Sequence, residues 1–269
     1  MKKAQMSEGR GRRLREYFIA ALVLCGLFVW ADPSSAELTA KANHDHITIG
    51  FFYHGGSVSV SGISDPDTDL VIKIVSDDGH ESLRKKGKVA GVLWMNVGSL
   101  KLDHVPSLYY LRSTRKVEDI LSGEERNRNV IGYEALAHHA DAQGISDDKE
   151  KSRWFEEFIK FKEASQLYGV SSGNIITAEK DGKHTYYTLS DWPHQARPGN
   201  YTVTVYAVKD HKVVETAESH VLVEQVGMVK SLAGMAKDNA VLYGILSILA
   251  ALGAGFGVGM VFRKGGGAH

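Results

Sequence analysis

Short alternating strands at both ends of residues 37–228, a charged helix-forming middle and an uncharged 23-residue run at 240–262 predict the fold class. It is mainly β: an immunoglobulin-like β-sandwich with an inserted helical segment at about 114–169, plus one C-terminal transmembrane helix. Alternation of period two marks strands buried on one face, and regular turn signals between short strands suit a sandwich. No Cys–Trp–Cys framework is present, so the architecture alone is argued.

Residues 1–36 come first. A cationic start, an apolar run from Tyr17 to Ala31 and small residues at Ser34 and Ala36 match a signal peptide cleaved after Ala36. An uncleaved signal anchor is the alternative. Then "HITIGFFYHGGSVSVSG" reads as two strands around a turn at His54, Gly55 and Gly56, where glycine supplies positive φ. "LVIKIVSDD" has the composition of a buried strand. "GVLWMNVGSLKLDHVPSLYYLRS" supplies further short strands, with one ring of Tyr109–Tyr110 in and the other out.

In the middle, two or three helices are expected. Trp154, Phe155, Phe158, Ile159 and Phe161 recur at helical spacing after Asp148. A hairpin around Lys180–Asp181–Gly182 leads back to the sheets, with Tyr186–Tyr187 again one in and one out. Strands follow on both sides of "KDHK". Residues 229–239 form a juxtamembrane segment, read as an amphipathic helix or one continuous with the span.

The run Ala240 to Phe262 carries no charge. At about 1.5 Å per residue its helix crosses a hydrocarbon core of about 30 Å. Arg263 and Lys264 end it and mark residues 263–269 as a cytoplasmic tail. Both ends of the chain then give one topology. The domain at 37–228 is periplasmic, the protein sits in a bacterial inner membrane, and it makes a single pass after signal cleavage.

The 269 residues sum to zero formal charge, but the termini are cationic and the rest is about six units negative. That argues against a nucleic-acid surface, which needs a basic patch or stripe, and leaves room only for a local basic cluster. The one cysteine, Cys25, lies in the signal segment, so the domain holds no disulfide, thiolate metal site or cysteine nucleophile. It must stand on its hydrophobic core.

For the 12 histidines, metal binding needs three or four converging ligands. His44 and His46 are weak candidates, and no metal or other cofactor is expected. The basic run Arg84, Lys85, Lys86 and Lys88 is a candidate site for an anionic ligand, lipid headgroups or a partner; as a charge run it also reads as a solvated turn. Trp94, Trp154 and Trp192 read as core or core-edge rings. No nucleophile elbow, phosphate loop or dinucleotide fingerprint occurs in a soluble context, and the chain is not expected to be an enzyme. Ala251, Gly255 and Gly259 have small-x-x-x-small spacing, which lets a second helix approach in lipid.

The ordered set "ITIGFFYHGGSVSVSG", "LRKKGKVAGVLWMN", "VPSLYYLRST", "RPGNYTVTVYAVKD" and the glycine-rich span ending "FRK" resembles an alphaproteobacterial family of transmembrane proteins of unknown function. The resemblance implies an accessory role beside a sulfite or organosulfonate exporter-like permease and carries over no catalytic or ligand-binding residue. The expected function is a membrane-anchored periplasmic accessory or interaction module. Its partners are an integral membrane protein such as a permease, or itself, and membrane lipid. The alternative is a periplasmic small-anion or metal-binding module.

Overall fold

The computed structural model describes residues 37–263 apart from 44, 90, 146, 181 and 182, and apart from the side chains of Lys85, Val97 and Arg263. The expected signal segment, the tail beyond Arg263, His44 and the Asp181–Gly182 turn lie outside the described residues.

The first strands are β1 (Lys41–Ala42), β2 (His46–Ile49), β3 (Gly56–Ile63), β4 (Asp69–Ser76), β5 (Asp78–Val89), β6 (Leu93–Pro106) and β7 (Tyr109–Ser113). A helical stretch follows with α1 (Val117–Ile120), α2 (Gly123–Arg128), α3 (Tyr133–His139), the short β8 (Asp141–Gln143) and α4 (Asp148–Ala164). The chain returns to sheet with β9 (Tyr168–Ser172), β10 (Ile176–Lys180), β11 (Lys183–Trp192), β12 (Gly199–Lys209) and β13 (Lys212–Gln225). It ends with α5 (Gly227–Asp238) and α6 (Ala240–Arg263). Among the described residues the fold is mixed: three sheets, helices inserted between strand groups, and one C-terminal helix of membrane length.

The central six-stranded sheet has the order β2-β13-β12-β4-β7-β9. One face, with Ile72, Ile74, Val203 and Val205, shares a core with Val58, Val60, Tyr186 and Trp192 of the four-stranded sheet β1-β3-β11-β10. The other face, with Val71, Tyr109, Leu111 and Tyr206, packs on Phe155, Phe158, Ile131 and Leu136 of the helical segment. Successive strand residues point to opposite faces, so a sheet covered twice buries both. This corrects the expectation for Tyr109 and Tyr110: both rings are buried, one in each core. Tyr186 and Tyr187 do divide, the first inside and the second exposed. Each fully buried large aliphatic side chain contributes about 1.5–3 kcal/mol over its exposed state, which is what a disulfide-free domain must rely on.

Local sequence sets the boundaries. Asp210 and His211 take φ of 51° and 63° and close β12 onto β13 as a two-residue hairpin loop. On α4, Phe155, Phe158, Ile159 and Lys162 form the buried stripe, while Phe161 faces solvent. Asp147 caps that helix by accepting from the Lys149 amide. Among the described residues of the inserted segment the helices number four, more than the two or three expected, because α1 and α2 are short and separated by the extended Leu121 and the Ser122 cap. The juxtamembrane segment and the span form two helices, broken at Asn239, whose φ of −139° and ψ of 58° are not helical.

Candidate functional site

Two features stand out beyond the cores: a long hairpin and a cleft. The stretch read as short strands is one hairpin. β4 and β7 pair in the six-stranded sheet, with Val75 opposite Tyr109; β5 and β6 then carry the same two chains onward, from Asp78 opposite Pro106 to Val89 opposite Leu93. At the bend, the Ser107 amide donates to Ser76 Oγ at 2.7 Å and the Ser76 amide to the Leu108 carbonyl at 3.2 Å. At the tip, Val92 N–H donates to the Val89 carbonyl, and Gly91 takes φ +74°, a conformation that glycine adopts without strain.

The base of this arm is fastened. Leu100, Leu102 and Val105 are buried against the helices, β8 pairs with β6 through Lys101, Leu102 and Asp103, and Glu81 lies 2.9 Å from Lys162 and 3.3 Å from Arg197. The distal half is bare. Val92 is 79% exposed and Trp94 68%, and Val89, Leu93 and Met95 are exposed too. Register sorts the distal side chains. Lys86 and Lys88 share a face with Asn96 and Trp94, whereas Val89, Leu93 and Met95 lie on the other. The Lys88 ammonium sits 5.5 Å from the centre of the Trp94 ring, a cation–π distance. The candidate residues Arg84, Lys85, Lys86 and Lys88 therefore lie on a strand and not in a turn. Arg84, Lys86 and Lys88 are exposed, and the side chain of Lys85 lies outside the described residues. Trp94, read as a core ring, is on the surface; the same alternation that signals a half-buried strand here covers nothing.

Strand register also fixes where the arm leaves. Ser76, the last residue of β4, is opposite Tyr201, and Tyr201 is opposite Val221 of β13. β4 and β13 are both antiparallel to β12, so they run the same way. The arm and the segment leading through α5 to α6 thus leave from one end of the six-stranded sheet.

The cleft has a volume of about 610 Å³ and lies where β7 and β9 meet the ends of β11 and β3; His54, Tyr110, Arg112, Gly169, Asp191 and His194 line it. Arg112 donates to Ser171 Oγ at 2.8 Å and stacks 5.6 Å from the Tyr110 ring centre. Its Nε is buried without an acceptor, as is Trp192 Nε1. Burial pushes the Tyr110 hydroxyl up to about 12, with Arg112 pulling the other way. The Arg112 cation shares this cleft with the carboxylates of Glu163 and Asp191. No sequence signal marked it, because its residues come from strands far apart in the chain.

The other candidates are dispersed. His46 lies 2.8 Å from Glu224, which also faces Lys230 at 3.8 Å. His44 lies outside the described residues, and no group of three metal-ligating side chains occurs among the described residues. Ala251, Gly255 and Gly259 all lie on α6, and a Cβ added at Gly255 or Gly259 would meet nothing within 4 Å. That face of the helix is open.

A family model described as "Putative transmembrane protein (Alph_Pro_TM)" matches residues 37–264, nearly all of the chain beyond its first 36 residues. No curated protein matches the chain.

Proposed function

The chain belongs to this family of transmembrane proteins, and from that premise we propose that it is an accessory module working by contact with another integral membrane protein. It is a membrane protein with one large extramembrane domain and one membrane-length helix, Ala240–Phe262. The observation that carries the proposal is the shared sheet end: the arm and the anchor leave the domain on one side. In this reading the domain is periplasmic and the C-terminus cytoplasmic. The lateral contact in the bilayer runs along Ala251, Gly255 and Gly259, against a permease of exporter type or a second copy. The module has no reaction of its own.

Two sheets share one core, and Tyr201, at the start of β12, donates its hydroxyl to the Arg197 carbonyl four residues upstream at 2.6 Å while packing 4.8 Å from the Trp192 ring. A tyrosine corner beside a buried tryptophan supports immunoglobulin-like kinship.

Photo-crosslinking in native membranes from a probe at position 248 tests the contact. A discrete adduct is expected with the native span and is lost when Gly255→Leu and Gly259→Leu close the groove. Equal yield from the leucine variant overturns the helix contact. A second reading, small-anion binding, is favoured by the unpaired Arg112 Nε in the cleft over the exposed Arg84–Lys88 run. Calorimetry of the full chain with sulfate, compared with Arg112→Leu, separates the two.

A further inference from the structure

We propose that the tip of the β5–β6 arm inserts into the anionic surface of the bilayer that holds α6, giving the domain a second point of membrane attachment. The proposal rests on the reading of α6 as a membrane span.

Three observations point to a lipid surface. The first is the sorting of side chains. Val89, Leu93 and Met95 make an apolar face, Val92 caps the turn, and the opposite face bears Lys86, Lys88 and Trp94. Apolar side chains gain by entering the acyl boundary, tryptophan is favoured at headgroup level, and lysines stay with the phosphates. The second is charge. Outside its cationic termini the chain is about six units negative, yet this one exposed arm concentrates Arg84, Lys86 and Lys88 without a carboxylate opposite them in the hairpin register. A cationic arm on an acidic domain is complementary to anionic lipid.

The third is reach. The arm leaves the same sheet end as the anchor. Its 12-residue strand spans about 40 Å at about 3.3 Å per residue. The 12-residue α5 between the sheet and the membrane helix spans about 18 Å. An arm longer than the stem has the length to reach the bilayer where it runs along the stem's direction. The tip is also stiff enough to present a fixed face, since the paired register continues to Val89 and Leu93.

The test uses the full chain, in a Cys25→Ser background, reconstituted in nanodiscs of phosphatidylcholine with and without phosphatidylglycerol. An environment-sensitive fluorophore is placed at Met95→Cys and, separately, at Leu249→Cys on α6. Insertion shifts the position-95 emission to the blue and makes it quenchable by nitroxide-labelled lipid and not by aqueous iodide. The effect is stronger with phosphatidylglycerol. Replacing Arg84, Lys86 and Lys88 by glutamate lowers the insertion equilibrium by about fivefold or more for each cation removed. Iodide quenching at position 95 in both kinds of disc overturns the proposal. So does protection from both quenchers, which places the tip against protein. The position-249 label separates the failures: if it is quenched by lipid while position 95 is open to iodide, only the arm proposal falls. If neither is quenched by lipid, the anchor reading falls with it.

Discussion

Lys162 Nζ lies 2.9 Å from the Glu81 carboxylate and joins α4 to the base of the hairpin arm. The lysine is almost wholly buried, rests 5.5 Å from the Phe158 ring centre and 5.6 Å from that of Tyr168, and has its pKa lowered by that burial, partly offset by Glu81. Arg197 approaches the same carboxylate from the exposed side.

The two partners are therefore unequal. Glu81→Gln strands a buried cation and is expected to cost about 3–5 kcal/mol. Lys162→Met keeps the volume, and Glu81 retains Arg197; it is expected to cost less than about 1.5 kcal/mol. Urea denaturation midpoints of the two variants check the ordering, and equal losses would refute it.

Tyr201→Phe removes one hydroxyl and leaves the Trp192 stacking intact. The expected loss is about 0.5–1.5 kcal/mol, that of one ordinary hydrogen bond, with no change in near-ultraviolet circular dichroism beyond the tyrosine band. Tyr201→Ala empties part of the core between the two sheets and should cost at least twice as much.

Gly62→Ala reports on the edge of the four-stranded sheet. A Cβ there would stand 1.8 Å from the Thr39 carbonyl oxygen, a backbone atom that cannot step aside alone. The Leu38–Ala42 stretch, paired to β3 through Lys41 and Ala42, is expected to detach. Limited proteolysis should cut near Thr39 in the variant well before the parent.

Two kinds of buried group oppose each other at alkaline pH. Burial pushes Lys73 down to about 8 from its ordinary 10.5, so the unfolded chain holds that proton longer and stability rises with pH between those values. Burial pushes Tyr110 and Tyr206 up to about 12, and Tyr109, Tyr168 and Tyr186 higher still. The stabilisation these phenols give is complete below pH 10 and is lost as pH rises through their folded values. Urea midpoints should rise from pH 8 toward 10 and fall above it. Lys73→Met should reduce the rise to the share that the buried Lys162 contributes, and keep the fall.

What could be read in the sequence was whatever a core had shaped. The alternation over Leu70–Val75 and Tyr201–Val208, the hairpin at Asp210–His211 and the stripe Phe155–Phe158–Ile159 all carry their period openly. Tyr109 beside Tyr110 misled because the rule of one ring out assumes a sheet with one wet face. Trp94 misled in the opposite sense: it sits in a strand-forming run like a core ring, but that part of the strand has no sheet or helix packed on it. The cleft was illegible for a third reason. Arg112, Asp191 and His54 are neighbours only through the folding of two strands and a loop, and no local spacing records that.

The route from domain to anchor has a mechanical consequence. β13 lies between β12 and β2, paired to the first from Lys212 to Val223 and to the second from Leu222 to Gln225, before the chain turns into α5. A pull on the membrane helix reaches this strand at its C-terminal end, where Leu222 and Val223 are paired on both sides. Its ladder bonds on both sides are then loaded together, where a peripheral strand pulled sideways would open them one after another. The join is built to transmit tension from the bilayer into the central sheet without unravelling.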